Sequence, residues 1–334
     1  MALFLTPLHD CSLNMAIGEF ELIKKYFNRE ELAPPLKGVM GIGDDCALIE
    51  IPDGMQLAQS LDTLVEGVHF PRHCDPALLA YRVLAVNLSD LAAMGAKPHS
   101  FTLGLTLPEA NSDWLQGFSN GLTLLAQQAG IALIGGDTTR GPLTISVQVQ
   151  GTVPKGKALK RSGAKVGDRI YVSGSLGDAA GALDFVLQNQ IPITATHSDT
   201  RYLLERYYQP SPRLKLGQWL SQNGATSALD ISDGLLGDLN HILSASGVGA
   251  ALNLDAIPCS KALSNIYGDD KARQYALTGG DDYELCFTWP ENKAISLPPS
   301  LGCTLSCIGK VTESKMVTDA KTGKPIQPEA FTHF

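Results

Sequence analysis

The chain has 334 residues and a formal net charge of −8, and 44% of its residues are hydrophobic. A chain of this length divides into about two domains and buries about three quarters of its unfolded surface, so folding requires neither disulfides nor a structural metal. The acidic charge and the lack of a basic stripe argue against duplex nucleic-acid binding, and no apolar run reaches the ~20 residues of a membrane span.

The N-terminal segment, residues 1–14, contains no Lys or Arg and so lacks the charged region of a secretory signal peptide. We interpret it as an extension that precedes a second start at Met15. The run after Met15 predicts a helix with one apolar face, formed by Leu22, Ile23, Tyr26 and Phe27. The seven cysteines of the chain include no Cys-x-x-Cys pair, which indicates free thiols, a cytoplasmic location and no zinc site.

The first half of the chain alternates predicted strands and helices. Periodicity predicts strands at 55–64, 99–108, 131–137 and 142–154, and helices at 75–95 and 111–130. Gly95 and Gly130 provide the expected helix stops, and two of the strands are predicted to end with an aspartate, Asp62 and Asp137. We assign residues 15–153 to an N-terminal domain.

The second half begins with a basic, glycine-bearing stretch at 155–168, which marks a change in composition. Beyond it, the pattern predicts strands at 168–175, 225–232 and 283–289, and helices at 176–188 and 233–246. We assign residues 154–334 to a C-terminal domain. The mixture of elements predicts two α/β or α+β domains built on sheets.

The common phosphate-binding motifs are missing from this sequence. It has no Walker A loop and no protein-kinase signature. The segment Gly174–Gly177 joins a predicted strand to a predicted helix, but it does not meet the G-x-G-x-x-G spacing, which favours a tight turn over a dinucleotide loop. If the protein binds ATP, it does so through a different kind of phosphate-binding site.

Aspartates recur beside glycines at the ends of predicted strands. They occur in the segments 41–48, 60–64, 134–141, 228–235 and 278–287, and Asp90 adds a sixth acid within a predicted helix. Carboxylates near apolar residues need partners, and few Lys or Arg residues are close in sequence. Mg²⁺ prefers oxygen ligands and is bound by carboxylates together with phosphate oxygens. The set therefore predicts Mg²⁺ ions that bridge a polyphosphate.

Several neighbouring residues admit two readings. The glycines before Asp137 and Asp281 would let a phosphate approach the backbone, and Ser232 and Asp233 begin a predicted helix whose N–H groups could face a phosphate. Any single Asp, however, is by default a turn former or a helix cap. A zinc site formed by His69 and His73 is disfavoured because Pro71 lies between them.

At this point the motifs are recognisable. GIGDDCAL, NLSDLAAMGA, IGGDTTRGP, RSGAKVGD, ALDISDGL and GGDDYELCF together resemble the thiamine-monophosphate kinase family, whose superfamily includes aminoimidazole ribonucleotide synthetase, selenophosphate synthetase and a hydrogenase maturation protein. The resemblance runs from about Ala16 to the C-terminus. It implies a two-domain fold like that of aminoimidazole ribonucleotide synthetase, with mixed sheets flanked by helices, and a homodimer formed through the N-terminal sheets.

The resemblance also implies an activity, the ATP-dependent phosphorylation of thiamine phosphate to thiamine diphosphate, and a set of site residues. The implied Mg²⁺ ligands are Asp45, Ser60, Leu61 (through its carbonyl), Asp62, Asp90, Asp137, Asp230 and Asp233. The implied ATP contacts are Gly136, Asp137, Arg161 and Ser232, and the implied substrate contacts are His69, Asp281 and Phe331. The family commonly has Thr at position 61 and Glu at position 281. Because Asp281 is shorter than Glu, Asp282 or Glu284 could share its role in contacting the substrate.

The chemistry of the acceptor predicts direct in-line transfer with no covalent nucleophile and no general base. A phosphate monoester is already largely ionised at neutral pH, so the main obstacle is the repulsion between two anions. Two alternatives stay open, a sibling synthetase of the same superfamily and a non-catalytic nucleotide-binding protein. Residues 31–40 contain no Cys, which counts against a selenophosphate synthetase.

Overall fold

A computed structural model describes residues 18–327. The extension predicted at residues 1–14 and the substrate contact predicted at Phe331 lie outside these residues. The described chain begins with the short helix α1 (Glu19–Leu22), which continues as a π-helical turn over Ile23–Phe27. Leu22, Tyr26 and Phe27 are buried, as the predicted apolar face requires.

The N-terminal half forms one mixed sheet and two long helices. Its elements are β1 (Val39–Met40), β2 (Leu48–Ile49), β3 (Met55–Val65), α2 (Pro76–Ala93), β4 (Lys97–Leu107), α3 (Ser112–Ala129), β5 (Ala132–Arg140) and β6 (Thr144–Pro154). The sheet has the order β3-β6-β4-β5, with β4 and β5 parallel and the other pairs antiparallel. All six elements predicted in this half are confirmed, with small shifts at their ends.

The C-terminal half forms a six-stranded mixed sheet. Its elements are β7 (Arg169–Ser173), α4 (Asp178–Val186), α5 (Ser198–Tyr208), α6 (Leu214–Asn223), β8 (Ser227–Asp230), α7 (Leu235–Ser246), β9 (Gly249–Leu252), α8 (Lys261–Tyr267), α9 (Asp269–Thr278), β10 (Leu285–Trp289), β11 (Leu305–Thr312) and β12 (Val317–Asp319). The strand order is β12-β9-β11-β7-β10-β8, with β12 and β9 parallel. Two mixed sheets with flanking helices confirm the predicted α/β (α+β) class.

The five elements predicted in this half are also confirmed, each shorter than predicted. The prediction missed helices α5, α6, α8 and α9 and strands β9, β11 and β12. Helix α5 has the sequence SDTRYLLERYY, in which polar residues dominate and only two full turns carry apolar side chains. No helix in residues 18–327 combines the length and the apolarity needed to cross a membrane.

Local signals explain the ends of the two long helices. The Asp75 side chain accepts hydrogen bonds from the N–H groups of Ala77 and Leu78 at the start of α2. The Asn111 side chain caps α3 in the same way, and Gly130 ends α3 in the left-handed conformation, with φ of +66°. The predicted glycine stop of α3 is therefore confirmed.

Helix α2 lies at the centre of the molecule. Every residue from Leu79 to Ser89 is buried. The helix packs on α3 and on β3, β4 and β6 of the N-terminal half, and it also contacts α5, α6 and β8 of the C-terminal half. A polar residue of α2 can therefore contact both sheets at once.

Two strands carry a predicted aspartate within the strand and not at its last residue. Strand β3 continues to Val65, with Asp62 opposite Val147 of β6. Strand β5 continues to Arg140, with Asp137 opposite Gly104 of β4. Successive side chains of a strand point to opposite faces, so an aspartate within a strand can project from one face of the sheet while the ladder continues.

Candidate active site

Four of the predicted metal ligands come together where α2 meets both sheets. The Ser60 hydroxyl of β3 donates a hydrogen bond to Asp90 Oδ2 of α2 at 2.5 Å. The Ser89 hydroxyl of α2 donates to Asp230 Oδ2, at the end of β8, at 2.6 Å. The charge of Asp90 acts on both Asp62 and Asp230. We call Ser60, Asp62, Asp90 and Asp230 the acidic cluster.

Burial raises the pKa values of all three carboxylates in the acidic cluster, and repulsion from Asp90 adds to the rise at Asp62 and Asp230. Burial, followed by the charge of Asp90, raises the pKa of Asp62 to about 6. The same two causes raise the pKa of Asp230 to about 7, although the hydrogen bond from Ser89 opposes the rise. Burial also raises the pKa of Asp90, against the hydrogen bond from Ser60 and the charge of Arg161. None of the three carboxylates forms a salt bridge with a residue in 18–327.

The cluster is open and does not form a closed metal cage. Within the described residues, no three His, Cys, Asp or Glu side chains converge on a point that could hold a metal ion. Mg²⁺ usually takes one or two carboxylates and fills its other positions with water and phosphate oxygens. Unpaired carboxylates at the junction of two sheets fit that mode of binding. The ligand roles of these residues stay predictions.

A short stretch of α2 organises the cluster. Asn87 is fully buried, and its side-chain oxygen accepts a hydrogen bond from the Asp62 N–H at 3.1 Å. Its amide group donates to the Val83 carbonyl at 2.9 Å. Asn87, Ser89 and Asp90 therefore connect α2 to both sheets. Asn87 and Ser89 are not among the predicted site residues, although polar residues within an apolar helical run were an available signal.

The other predicted metal and nucleotide residues Asp45, Leu61, Asp137 and Arg161 have exposed side chains. Asp45 is exposed in the loop between β1 and β2, and its N–H donates to Asp44 Oδ1 at 2.9 Å. Leu61 and Asp137 are also exposed. Arg161 is exposed, and its charge lowers the pKa of Asp90, which places a positive side chain near the cluster.

The glycine at position 136 has a structural explanation. A Cβ atom at Gly136 would lie 2.0 Å from the Leu103 carbonyl oxygen of β4. The close approach of β4 therefore requires glycine here. The expectation that this glycine serves the approach of a phosphate is not needed to explain it.

The expectation that the N–H groups of Ser232 and Asp233 face a phosphate is wrong in this structure. Helix α7 begins at Leu235, and the Ser232 and Asp233 N–H groups donate to Asp238 Oδ2 at 3.0 and 2.9 Å. Burial is the main cause that raises the pKa of Asp238 to about 6. Asp238 thus fixes the loop from within, and only the side chains of Ser232 and Asp233 stay available. Asp238 was not predicted as a site residue, because its partners are backbone N–H groups that precede it in the chain and leave no side-chain pattern in the sequence.

Asp281 has a cationic partner that the sequence analysis did not foresee. Arg82 of α2 forms a salt bridge of 2.7 Å with Asp281 Oδ1. The Tyr283 hydroxyl donates to the same oxygen at 2.8 Å. Asp281 therefore has a cationic partner that is distant in sequence and close in space.

His69 lies near the same network. Its Nδ1 accepts a hydrogen bond from the Val65 N–H at 3.1 Å, and its carbonyl accepts one from the Tyr207 hydroxyl at 3.4 Å. Tyr207 in turn contacts Arg82. Two predicted substrate contacts, His69 and Asp281, are therefore connected through Tyr207 and Arg82. No helix joins His69 to His73, as the intervening proline predicted.

The two alternatives to Asp281 face the interior of the C-terminal half. Asp282 is buried and accepts the Gly177 N–H. Glu284 is buried and pairs with Arg213 and, at 3.0 Å, with Arg206. Both carboxylates are engaged in structural contacts. Gly177 has a φ of +83° at the start of α4, which confirms the tight turn predicted at Gly174–Gly177.

A large cleft lies away from the acidic cluster. It has a volume of about 940 Å³ and is lined by Ser175, Tyr202, Arg206, Glu284 and other residues of the C-terminal half. Ser175 and Tyr202 both donate to Asp178, and Arg206 pairs with Glu284. Most of these polar groups pair with one another, although the Arg206 Nε has no hydrogen-bond partner in residues 18–327. The acidic cluster is the better candidate for the active site.

Known protein families match both halves of the chain. The AIR synthase related protein, N-terminal domain, matches residues 43–153, and the AIR synthase related protein, C-terminal domain, matches residues 165–320. The chain is 50% identical to the thiamine-monophosphate kinase of Salmonella typhimurium over 301 residues, 89% of this chain and 91% of that protein. It is 48% identical to that of Escherichia coli (strain K12) over 326 residues, 96% of this chain and 99% of that protein.

Solved structures agree with these matches. The crystal structure of thiamine-monophosphate kinase from Stenotrophomonas maltophilia K279a gives a TM-score of 0.81 at 47% identity and covers 87% of this chain and 93% of that one. The structure of AaThiL complexed with AMPPCP and TMP gives 0.76 at 31% identity, with 95% and 97% coverage. These likenesses confirm the predicted fold, which resembles that of aminoimidazole ribonucleotide synthetase.

Proposed function

We propose, because the chain belongs to the thiamine-monophosphate kinase family, that it transfers the terminal phosphoryl group of ATP to thiamine phosphate and releases thiamine diphosphate and ADP. The relatives supply the substrate class, since curated proteins at up to 50% identity carry this name. A structural neighbour at 31% identity was solved with AMPPCP, an ATP analogue, and TMP.

The observation that carries the proposal is the acidic cluster. Three half-buried carboxylates from two sheets and the central helix stand together, and two of them have a pKa raised to about 6 or 7. Such a group of acids is costly to the fold when it lacks cations. It suits a site in which nucleotide and cations arrive together, because each then neutralises the other.

Asp62, Asp90 and Asp230, with Ser60 beside them, are the residues that would hold Mg²⁺. The further ligands that the family resemblance implies are Asp45, Leu61 (through its carbonyl), Asp137 and Asp233. When bound, Mg²⁺ neutralises charge on the phosphate oxygens and so lowers the repulsion between the two substrates.

The protein's own residues have positioning and electrostatic roles. Arg161 brings a mobile positive charge to the nucleotide phosphates, and Gly136 and Ser232 belong to the segments that contact ATP. His69 and Asp281 orient the acceptor. The attacking atom is an oxygen of a phosphate that is already ionised, so no side chain has to remove a proton. Transfer is then direct and in line, without a phosphorylated enzyme.

A homodimer and a cytoplasmic location also belong to the proposal. Among residues 18–327, strand β3 pairs with β6 on one side only, and its Leu57 and Leu61 side chains are 44% and 57% exposed. A long edge strand with exposed apolar residues is a surface that a second copy can cover. Six cysteines in the described range are free, which suits a reducing compartment.

One assay separates this function from the alternatives. Purified protein is incubated with ATP, Mg²⁺ and either thiamine phosphate or unphosphorylated thiamine, and ADP and thiamine diphosphate are quantified by chromatography. We expect equal amounts of both products with thiamine phosphate and neither with thiamine. ATP consumption that requires selenide would indicate a selenophosphate synthetase. Nucleotide binding without turnover at saturating substrates would indicate a non-catalytic protein and refute the proposal.

A further inference from the structure

Arg82 is a buried charge in the most buried helix of the molecule. It is 3% exposed, and both neighbours on α2, Tyr81 and Val83, are buried as well. A guanidinium group in such a place is strongly destabilising unless its charge and its donors are matched. In residues 18–327 the Arg82 Nε has no hydrogen-bond partner, whereas both terminal nitrogens are paired. The partners of these two nitrogens therefore indicate what the residue is for.

The contacts of Arg82 all cross to the C-terminal half. One terminal nitrogen donates to the Tyr207 carbonyl of α5 at 2.7 Å, and the other forms the salt bridge of 2.7 Å with Asp281. The guanidinium carbon lies 4.1 Å from the centre of the Tyr207 ring and 6.0 Å from that of Tyr283. Arg82 thus joins α2 to α5 and to the loop that carries Asp281.

This network leaves Asp281 in a defined state. Its Oδ1 receives both Arg82 and the Tyr283 hydroxyl, and its N–H donates to the Ser232 carbonyl at 2.8 Å. Its backbone has a φ of +68°, a conformation that a non-glycine residue holds only when its surroundings fix it. The side chain is still 33% exposed. Asp281 therefore offers a fixed acceptor oxygen, with its charge already balanced by Arg82.

We propose that Arg82 is a positioning residue for the thiamine-phosphate site. It holds Asp281 in its strained backbone conformation, and through Tyr207 it holds the segment of His69. The Asp281 carboxylate is then fixed before the substrate binds, and its charge is already neutralised by Arg82. Asp281 therefore accepts a hydrogen bond from the substrate and does not serve to balance the positive charge of the substrate. The inference rests on the proposed function, because the contact of Asp281 with substrate is part of that function.

The test is a comparison of Michaelis constants for the two substrates. In Arg82→Met, the KM for thiamine phosphate should rise about tenfold or more, because Asp281 loses its charged partner and its fixed position. The KM for ATP should change less than about twofold, within the scatter of unrelated sites. Arg82→Lys restores the charge without the paired donors and should recover part of the loss.

Arg213→Met is the matched control. Arg213 is also largely buried and pairs with a carboxylate, Glu284, but it lies away from Asp281. The Arg213→Met substitution should lower the stability of the protein and leave the Michaelis constants for both substrates unchanged. A rise in the KM for thiamine phosphate that is equal in both variants would show a general loss of structure and overturn the inference.

A milder variant protects the test if Arg82→Met does not fold. Tyr283→Phe removes only the second donor to Asp281 Oδ1, and the KM for thiamine phosphate should rise about threefold to tenfold. If the KM for thiamine phosphate is unchanged in a folded Tyr283→Phe or Arg82→Met protein, the inference is overturned. Turnover by the wild-type protein would in that case still support the proposed function. Absence of turnover by the wild-type protein refutes the proposed function, and the inference falls with it.

Discussion

Replacement of Ser89 by alanine tests how the acidic cluster is held. The fully buried Ser89 hydroxyl donates to the half-buried Asp230 carboxylate at 2.6 Å, the short distance of a charge-assisted bond. A hydrogen bond to a charged group is worth about 1.5–3 kcal/mol. At a pH above the Asp230 pKa of about 7, Ser89→Ala should therefore lower the free energy of unfolding by this amount in metal-free buffer.

The same variant should respond to Mg²⁺. Outer-sphere partners of metal ligands typically contribute 10- to 100-fold to metal affinity. A weaker dissociation constant enters the stability of the loaded protein directly, so the deficit of Ser89→Ala should grow by about 1.4–2.7 kcal/mol at saturating Mg²⁺. The assay is urea unfolding of both proteins with chelator and with Mg²⁺.

Ser100→Ala is the matched control for this experiment. Ser100 is equally buried, but its hydroxyl donates to a neutral partner, Gln150 Oε1, at 3.2 Å. Ser100→Ala should lower the free energy of unfolding by about 0.5–1.5 kcal/mol, and Mg²⁺ should not change this difference from the wild type. If Mg²⁺ has no more effect on the Ser89→Ala deficit than on the Ser100→Ala deficit, Asp230 is not a cation ligand and the reasoning fails.

Three further variants address the remaining roles. Asp62→Asn should reduce turnover by orders of magnitude while circular dichroism stays that of the wild type, and near-normal turnover would remove Asp62 from the ligand set. Arg161→Ala should raise the KM for ATP about tenfold, and an unchanged ATP dependence would return Arg161 to an ordinary solvated side chain. Asp238→Ala should lower the free energy of unfolding by about 2–4 kcal/mol in urea, because the Ser232 and Asp233 N–H groups lose their charged acceptor; a change near zero would contradict its role in the loop.

The fold could be predicted where the chain carries long, regular patterns. Helix α3 shows an asparagine cap, an amphipathic run and a glycine stop, and its predicted bounds are nearly those observed. Helix α5 carries weaker signals, because its cap is the His197 side chain, it ends without a glycine stop and its buried residues lie only in its last two turns. Part of its stability comes from tertiary contacts such as the packing of Tyr207 on Arg82. Short strands such as β9 likewise depend on neighbours that are distant along the chain.

The site divides in the same way. Aspartates beside glycines are visible in the sequence, and they directed attention to Asp62, Asp90 and Asp230. The residues that hold such aspartates in place can be recognised only in the structure. Ser89 donates a hydrogen bond to Asp230, which lies 141 positions away in sequence, and Arg82 of the N-terminal half pairs with Asp281 of the C-terminal half. A single sequence contains the acids but not the pairing, so it could not show which aspartates already have a partner.

The central claim is that the acidic cluster binds divalent cations together with ATP. A crystal grown with Mn²⁺, a non-hydrolysable ATP analogue and thiamine phosphate tests it directly, because Mn²⁺ takes oxygen ligands as Mg²⁺ does and can be located by its anomalous scattering. We predict anomalous peaks within coordination distance of Asp62, Asp90 and Asp230, beside the nucleotide phosphates. Nucleotide bound elsewhere, or a bound nucleotide with no peak at these carboxylates, would contradict the account.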